Sequence, residues 1–74
     1  MTHEQIRSAF AEVYNGYYLK HNRKEHEPVR TEKEWEEIVA KGDEIIKKYN
    51  YNKLVQHMVL DLQEEFELQD MSKK

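Results

Sequence analysis

Residues 31–49 read TEKEWEEIVAKGDEIIKKY, and that stretch decides the fold. Thr31 followed by Glu34 has the form of a capping box: the threonine oxygen accepts from the N–H of Glu34, and the glutamate reaches back to the N–H of Thr31. From there Trp35, Ile38, Val39, Gly42, Ile45, Ile46 and Tyr49 recur at steps of three and four. At about 100° per residue they form one stripe, while Glu36, Glu37, Lys41, Asp43, Glu44, Lys47 and Lys48 lie largely outside it. The stripe holds the chain's one tryptophan, and no strongly apolar residue falls off it. This is the pattern of the central helix of a small bundle, with Trp35 as a buried anchor.

Working outward towards the N-terminus, residues 22–30 form a connector whose Pro28 disfavours helix at Glu27. Val29 is placed to act as a loose hydrophobic staple onto Trp35. Before the connector, a helix is expected over about residues 2–21. Thr2 and Gln5 make a second capping box, and Ile6, Ala9, Phe10, Val13, Tyr14 and Tyr17 share a face. Gly16 interrupts this face at a cost of about 1 kcal/mol relative to alanine. Either a neighbouring helix crosses closely there or the helix stops early. One continuous helix is the better reading, because Tyr17 extends the stripe and Lys20 and His21 suit a last turn.

Towards the C-terminus, Asn50 and Asn52 mark a second break, one closing the central helix and the other opening the next. A third helix is expected over about residues 53–68. Leu54, Val55, Met58, Val59, Leu62 and Phe66 form its broad apolar face, and residues 71–74 form a frayed tail. Three helices with short connections pack in antiparallel order. The expected fold is therefore all-α, a single three-helix up-down-up bundle over residues 1–74. This order places Lys20, Arg23, Lys24 and Arg30 beside Asp61, Glu64, Glu65, Glu67 and Asp70.

The composition agrees. Seventy-four residues build one domain at most, and a chain of that size has only a few kcal/mol of stability to spare. Charged residues make up 36%, yet eight aromatics placed with helical period distinguish the chain from a disordered one. There is no cysteine, which excludes disulfides and thiolate metal sites. No apolar run approaches the ~20 residues of a membrane span, and the first residues resemble neither a signal nor a transit peptide. A cytoplasmic protein of bacterial or mobile-element origin is expected. The net charge of −3 creates no global attraction to nucleic acid or acidic lipid.

Candidate chemistry is sparse. His3, His21, His26 and His57 include no pair at the four-residue spacing that puts two imidazoles on one helix face. His57 and Asp61 have that spacing, but two ligands do not make a site, so no metal is expected. The glutamates at 32, 34, 36, 37, 64, 65 and 67 are dense, but paired carboxylates catalyse only inside a concave pocket. No nucleophile motif, glycine-rich phosphate loop or cofactor fingerprint occurs. Neither catalysis nor a cofactor is expected.

Two binding readings remain. Tyr17, Tyr18, Lys20, Arg23 and Lys24 mix aromatic and basic residues as a nucleic-acid surface does, but Glu25 and Glu27 interleave with them. Such a surface would make the chain a small nucleic-acid-binding regulator. The favoured reading is a small non-enzymatic interaction or adaptor protein that self-associates as a homodimer. Its candidate interface is Tyr18, Leu19, Leu60, Leu68 and Met71, apolar residues that lie off the core stripes.

Overall fold

The structure, a computed structural model, describes residues 1–24 and 26–72. It is an all-α three-helix bundle. Helix α1 begins as His3–Val13, passes through a π-helical turn at Tyr14–Tyr18 and ends in an α turn at Leu19–His21. Helices α2 (Glu32–Lys48) and α3 (Lys53–Met71) follow. Met71 is thus the last helical residue and Ser72 its cap, while Lys73 and Lys74 lie outside the described residues, as does Glu25.

The caps follow from local chemistry. The Thr2–Gln5 box is complete, with Thr2 accepting from the N–H of Gln5 at 3.1 Å and Gln5 accepting from that of Thr2 at 2.8 Å. At α2 only half a box forms. Thr31 accepts from the N–H of Glu34 at 3.2 Å, but the Glu34 carboxylate turns instead to Arg23 and His21. Asn50 and Tyr51 both take the left-handed conformation (φ 56° and 58°) that ends α2, and Asn52 caps α3 through the N–H of Leu54 at 2.9 Å.

The π turn has a packing reason. Ala9, Val13, Tyr17 and His21 are all buried, at steps of four. In an uninterrupted α-helix each step of four drifts by about 40°, so three steps would carry His21 about 120° away from Ala9. Between Tyr14 and Leu19 the N–H bonds to the fifth carbonyl back, and the extra residue rewinds the drift. The helix is therefore continuous through Gly16. No helix crosses closely there, since a Cβ on Gly16 would meet nothing within 4 Å. The close crossing is at Gly42, where a Cβ would lie 2.7 Å from Gln63 Nε2, 2.8 Å from Val59 Cγ1 and 3.0 Å from Tyr17 Oη.

The core combines Ala9, Val13 and Tyr17 of α1, Ile38 and Ile45 of α2, and Val55, Val59 and Phe66 of α3. A polar tie runs through its middle. The Tyr17 hydroxyl donates to the Ile38 carbonyl at 2.9 Å and accepts from Gln63 Nε2 at 3.0 Å, joining all three helices. Burial pushes the Tyr17 phenol up from its ordinary value of 10.0; the Gln63 bond opposes this and Asp43 adds to it. A raised folded-state pKa gives stability that is intact below the unfolded value and lost as pH rises through the folded value. Urea midpoints should therefore fall as pH rises above about 10, and Tyr17→Phe should fall less. Tyr49, raised by burial and by its bond to Glu12, contributes the part that Tyr17→Phe leaves. Equal alkaline slopes in wild type and variant would show that the phenol is not buried as described.

Four apolar residues assigned to the core by periodicity lie at its edge. Phe10 is 50% exposed, Tyr14 55%, Val39 49% and Leu54 41%. Trp35 is half-buried, packed against the core from outside, with the Arg30 guanidinium 5.7 Å from its ring centre.

Candidate functional site

The strongest surface feature is an apolar groove between α1 and α3. It is lined by Phe10, Val13, Tyr14 and Tyr18 from one helix and Met58, Asp61 and Leu62 from the other. The π turn builds its α1 wall. Tyr14 and Tyr18 stack with ring centres 5.5 Å apart, and Tyr18 stacks in turn on Phe66 at 6.3 Å. Tyr18 is thereby held half-buried while Phe10 and Tyr14 project. The hollow, about 490 Å³, is large enough for a small molecule. Among the described residues its only charged lining group is Asp61, and it lacks the convergent polar groups that orient a small ligand. Its lining suits aromatic and aliphatic side chains.

A second cluster occupies the end of the bundle where the connector meets α3. The Arg30 side chain is 0% exposed. Its Nη1 donates to the Phe66 carbonyl at 2.8 Å and to Asp70 Oδ1 at 2.9 Å; its Nη2 donates to the His21 carbonyl at 2.5 Å and Gln69 Oε1 at 2.7 Å. Its Cζ lies 4.6 Å from the centre of the Phe66 ring. Burial lowers the Arg30 pKa, and Asp70 opposes the shift. Arg23 pairs with Glu34, whose other oxygen lies 3.4 Å from His21 Nδ1. Thr31, in the same cleft as His21 and Glu34, is engaged as the N-cap of α2. The cluster's polar groups thus largely satisfy one another and close the bundle. Among the described residues no three His, Asp or Glu gather as a metal site, and no helix is long and apolar enough to cross a membrane.

The interface residues read from the sequence do not converge. Tyr18 belongs to the α1/α3 groove. Met71, 57% exposed, lines a hollow on the α2/α3 side with Val29, Arg30, Trp35, Glu67 and Asp70. Leu19 is 51% exposed, and Leu60 and Leu68 are 52% exposed. Leu60 and Met71 share a helix face but lie about 16 Å apart along it, with Leu68 about 60° round from Met71. Of the alternative patch, Tyr17 is fully buried and offers no ring face to a base, Arg23 is paired with Glu34, and Lys20 lines the cleft with Lys33, Glu34 and Glu37. The Lys24 N–H bonds to Glu27 Oε1 at 2.7 Å.

Phe10 and Tyr14 were missed as surface because they sit towards one side of a stripe about 140° wide. The available signal was that both α1 and α3 carry such wide stripes, so that their spare flanks face each other. Comparison with protein-family models, curated proteins and solved structures finds no significant match to the chain.

Proposed function

We propose that the chain is a non-enzymatic interaction module that docks another protein surface in the α1/α3 groove. The observation supporting this reading is the exposure of Phe10 and Tyr14 beside a groove lined by Val13, Tyr18, Met58 and Leu62. Contiguous exposed apolar surface of this kind marks contact sites, and aromatic side chains supply most of the binding energy at them. Burying the still-exposed half of each projecting ring would contribute on the order of 1 kcal/mol.

The test is photo-crosslinking in cells. A photoreactive phenylalanine analogue in place of Phe10 should yield protein adducts of discrete mass. The same analogue at Lys47, exposed on α2, should not. No adduct at Phe10, or the same adducts at both positions, would overturn the docking role of the groove.

A further inference from the structure

We infer that the occupant of the α1/α3 groove is an amphipathic helix of another protein, with basic residues along the side that faces α3. This rests on reading the groove as a docking face, and it adds the conformation and the charge of the partner.

The conformation follows from the walls. Tyr17 meets Gln63 and Arg23 meets Gln69, the same offset in each case, so α1 and α3 run side by side in one direction. The groove is a furrow between two helices, and α3 is 19 residues or about 28 Å long. Along it the backbone N–H and C=O groups of both walls are taken up inside their own helices. An extended peptide would find no backbone partner on such walls, whereas a helix satisfies its own backbone. The wall side chains also repeat at one-turn spacing, Phe10 with Tyr14 on α1 and Met58 with Leu62 on α3. Apolar residues at i, i+3 or i+4 and i+7 of an incoming helix match that spacing, and the helix lies there as the fourth member of a bundle.

The charge follows from α3. Asp61 lines the groove, and Glu65 lies two turns after Met58 and about 20° from it round the helix, on the same wall. Both acids are exposed, and among the described residues neither forms an ion pair within the chain. The α1 wall facing them carries the uncharged rings of Tyr14 and Tyr18, held at that level by the stack of Tyr18 on Phe66. Arg7 lies two turns before Tyr14, away from both acids. Charge along this stretch is therefore one-sided. A helix with Lys or Arg one turn apart on its α3 side meets both carboxylates, and one with acids there is repelled. The same carboxylates disfavour nucleic acid and acidic lipid as occupants. Rim charges of this kind select the partner and its orientation, while the rings supply the grip.

The test is selection of a displayed library of helical peptides, about 18 residues or ~27 Å long, against the purified full chain. The apolar edge is varied among Leu, Phe, Met and Trp, and both flanking rows among Lys, Arg, Gln, Glu and Asp. Enriched peptides should carry Lys or Arg one turn apart in one flank. Asp61→Lys combined with Glu65→Lys lies outside the core and should leave the circular dichroism spectrum unchanged. It should weaken the best synthesised peptide by about tenfold or more in fluorescence anisotropy. Exchanging the peptide's basic flank for glutamate should restore binding to that double variant. Phe10→Ala combined with Tyr14→Ala should weaken the original peptide at least as much. A selection that enriches no helix, or helices without a basic flank, overturns the proposal. Binding that charge reversal leaves unmoved, or that survives loss of the two rings, also overturns it. If Phe10 still crosslinks to a protein in cells, the docking face stands and only its occupant is wrong. Sedimentation equilibrium of the chain alone reads the other occupant. A dimer that Phe10→Ala with Tyr14→Ala splits would place a second copy in the groove and overturn the foreign helix.

Discussion

Asp70→Ala is expected to lower the unfolding free energy by about 3–5 kcal/mol, enough to leave a domain of this size largely unfolded at room temperature. The cost comes from what remains behind. The Arg30 side chain is 0% exposed, and a guanidinium cannot shed its proton to escape burial. In the native chain the charge is balanced by Asp70, 13% exposed, and its N–H groups are further taken up by the carbonyls of His21 and Phe66 and by Gln69. The carboxylate also faces the Arg30 backbone N–H at 3.3 and 3.4 Å. Removing it leaves a full positive charge facing dipoles and the Phe66 and Trp35 rings, with no carboxylate bonded to it. Arg30→Met should be milder. It deletes the buried charge, keeps apolar volume over Phe66, and frees an Asp70 that is near enough to the surface to regain water. Replacing both, Arg30→Met with Asp70→Leu, should be milder still, because no charge is then left buried. Urea midpoints across the set should rank Asp70→Ala lowest. If Asp70→Ala unfolds within a few tenths of a kcal/mol of wild type, the pair does not hold the end of the bundle together.

How much of this was legible in the sequence depends on whether a feature is local. Thr2 with Gln5, Thr31 and Asn52 announce helix starts because capping is decided within a few residues, and all three cap as their positions imply. The helix number and order follow from those caps and from the period of the apolar residues. Features that depend on a neighbouring helix were not legible. Arg30 looked like one of four exposed connector cations, since nothing adjacent to it says that a carboxylate forty residues away will enclose it. The opposite charges of connector and α3 indicated which ends meet, but the strongest pair between them is buried. Phe10 and Tyr14 satisfied the core period and were assigned to the core, yet they lie past the arc that two neighbours cover. The π turn arises from the need to keep Ala9, Val13, Tyr17 and His21 in line, a demand set by the partners of α1 and not by residues 14–18 themselves.

The two glycines show the same limit and give the second large effect, because one substitution should have opposite signs at the two positions. Both lie in helices, where alanine is favoured by about 1 kcal/mol. At Gly16 a Cβ meets nothing within 4 Å, so Gly16→Ala should realise that gain and raise Tm by about 4–8 °C. At Gly42 the Cβ would sit 2.8 Å from Val59 Cγ1 and 2.7 Å from Gln63 Nε2. Val59 is fully buried and, being β-branched, has little freedom to turn away. Gln63 can swing, but only by releasing the Tyr17 hydroxyl that it holds at 3.0 Å in the middle of the core. Overpacking of this kind costs about 1–3 kcal/mol, and losing a buried hydrogen bond adds about 1 kcal/mol or more. Together these exceed the helical gain, so Gly42→Ala should lower Tm. Gly42→Val drives two further methyl groups towards the same atoms and should leave the chain unfolded or molten, with helical signal but no cooperative melt. If Gly42→Ala instead melts above wild type, α2 and α3 do not approach as closely as described, and the Tyr17–Gln63 tie at their crossing would have to be redrawn.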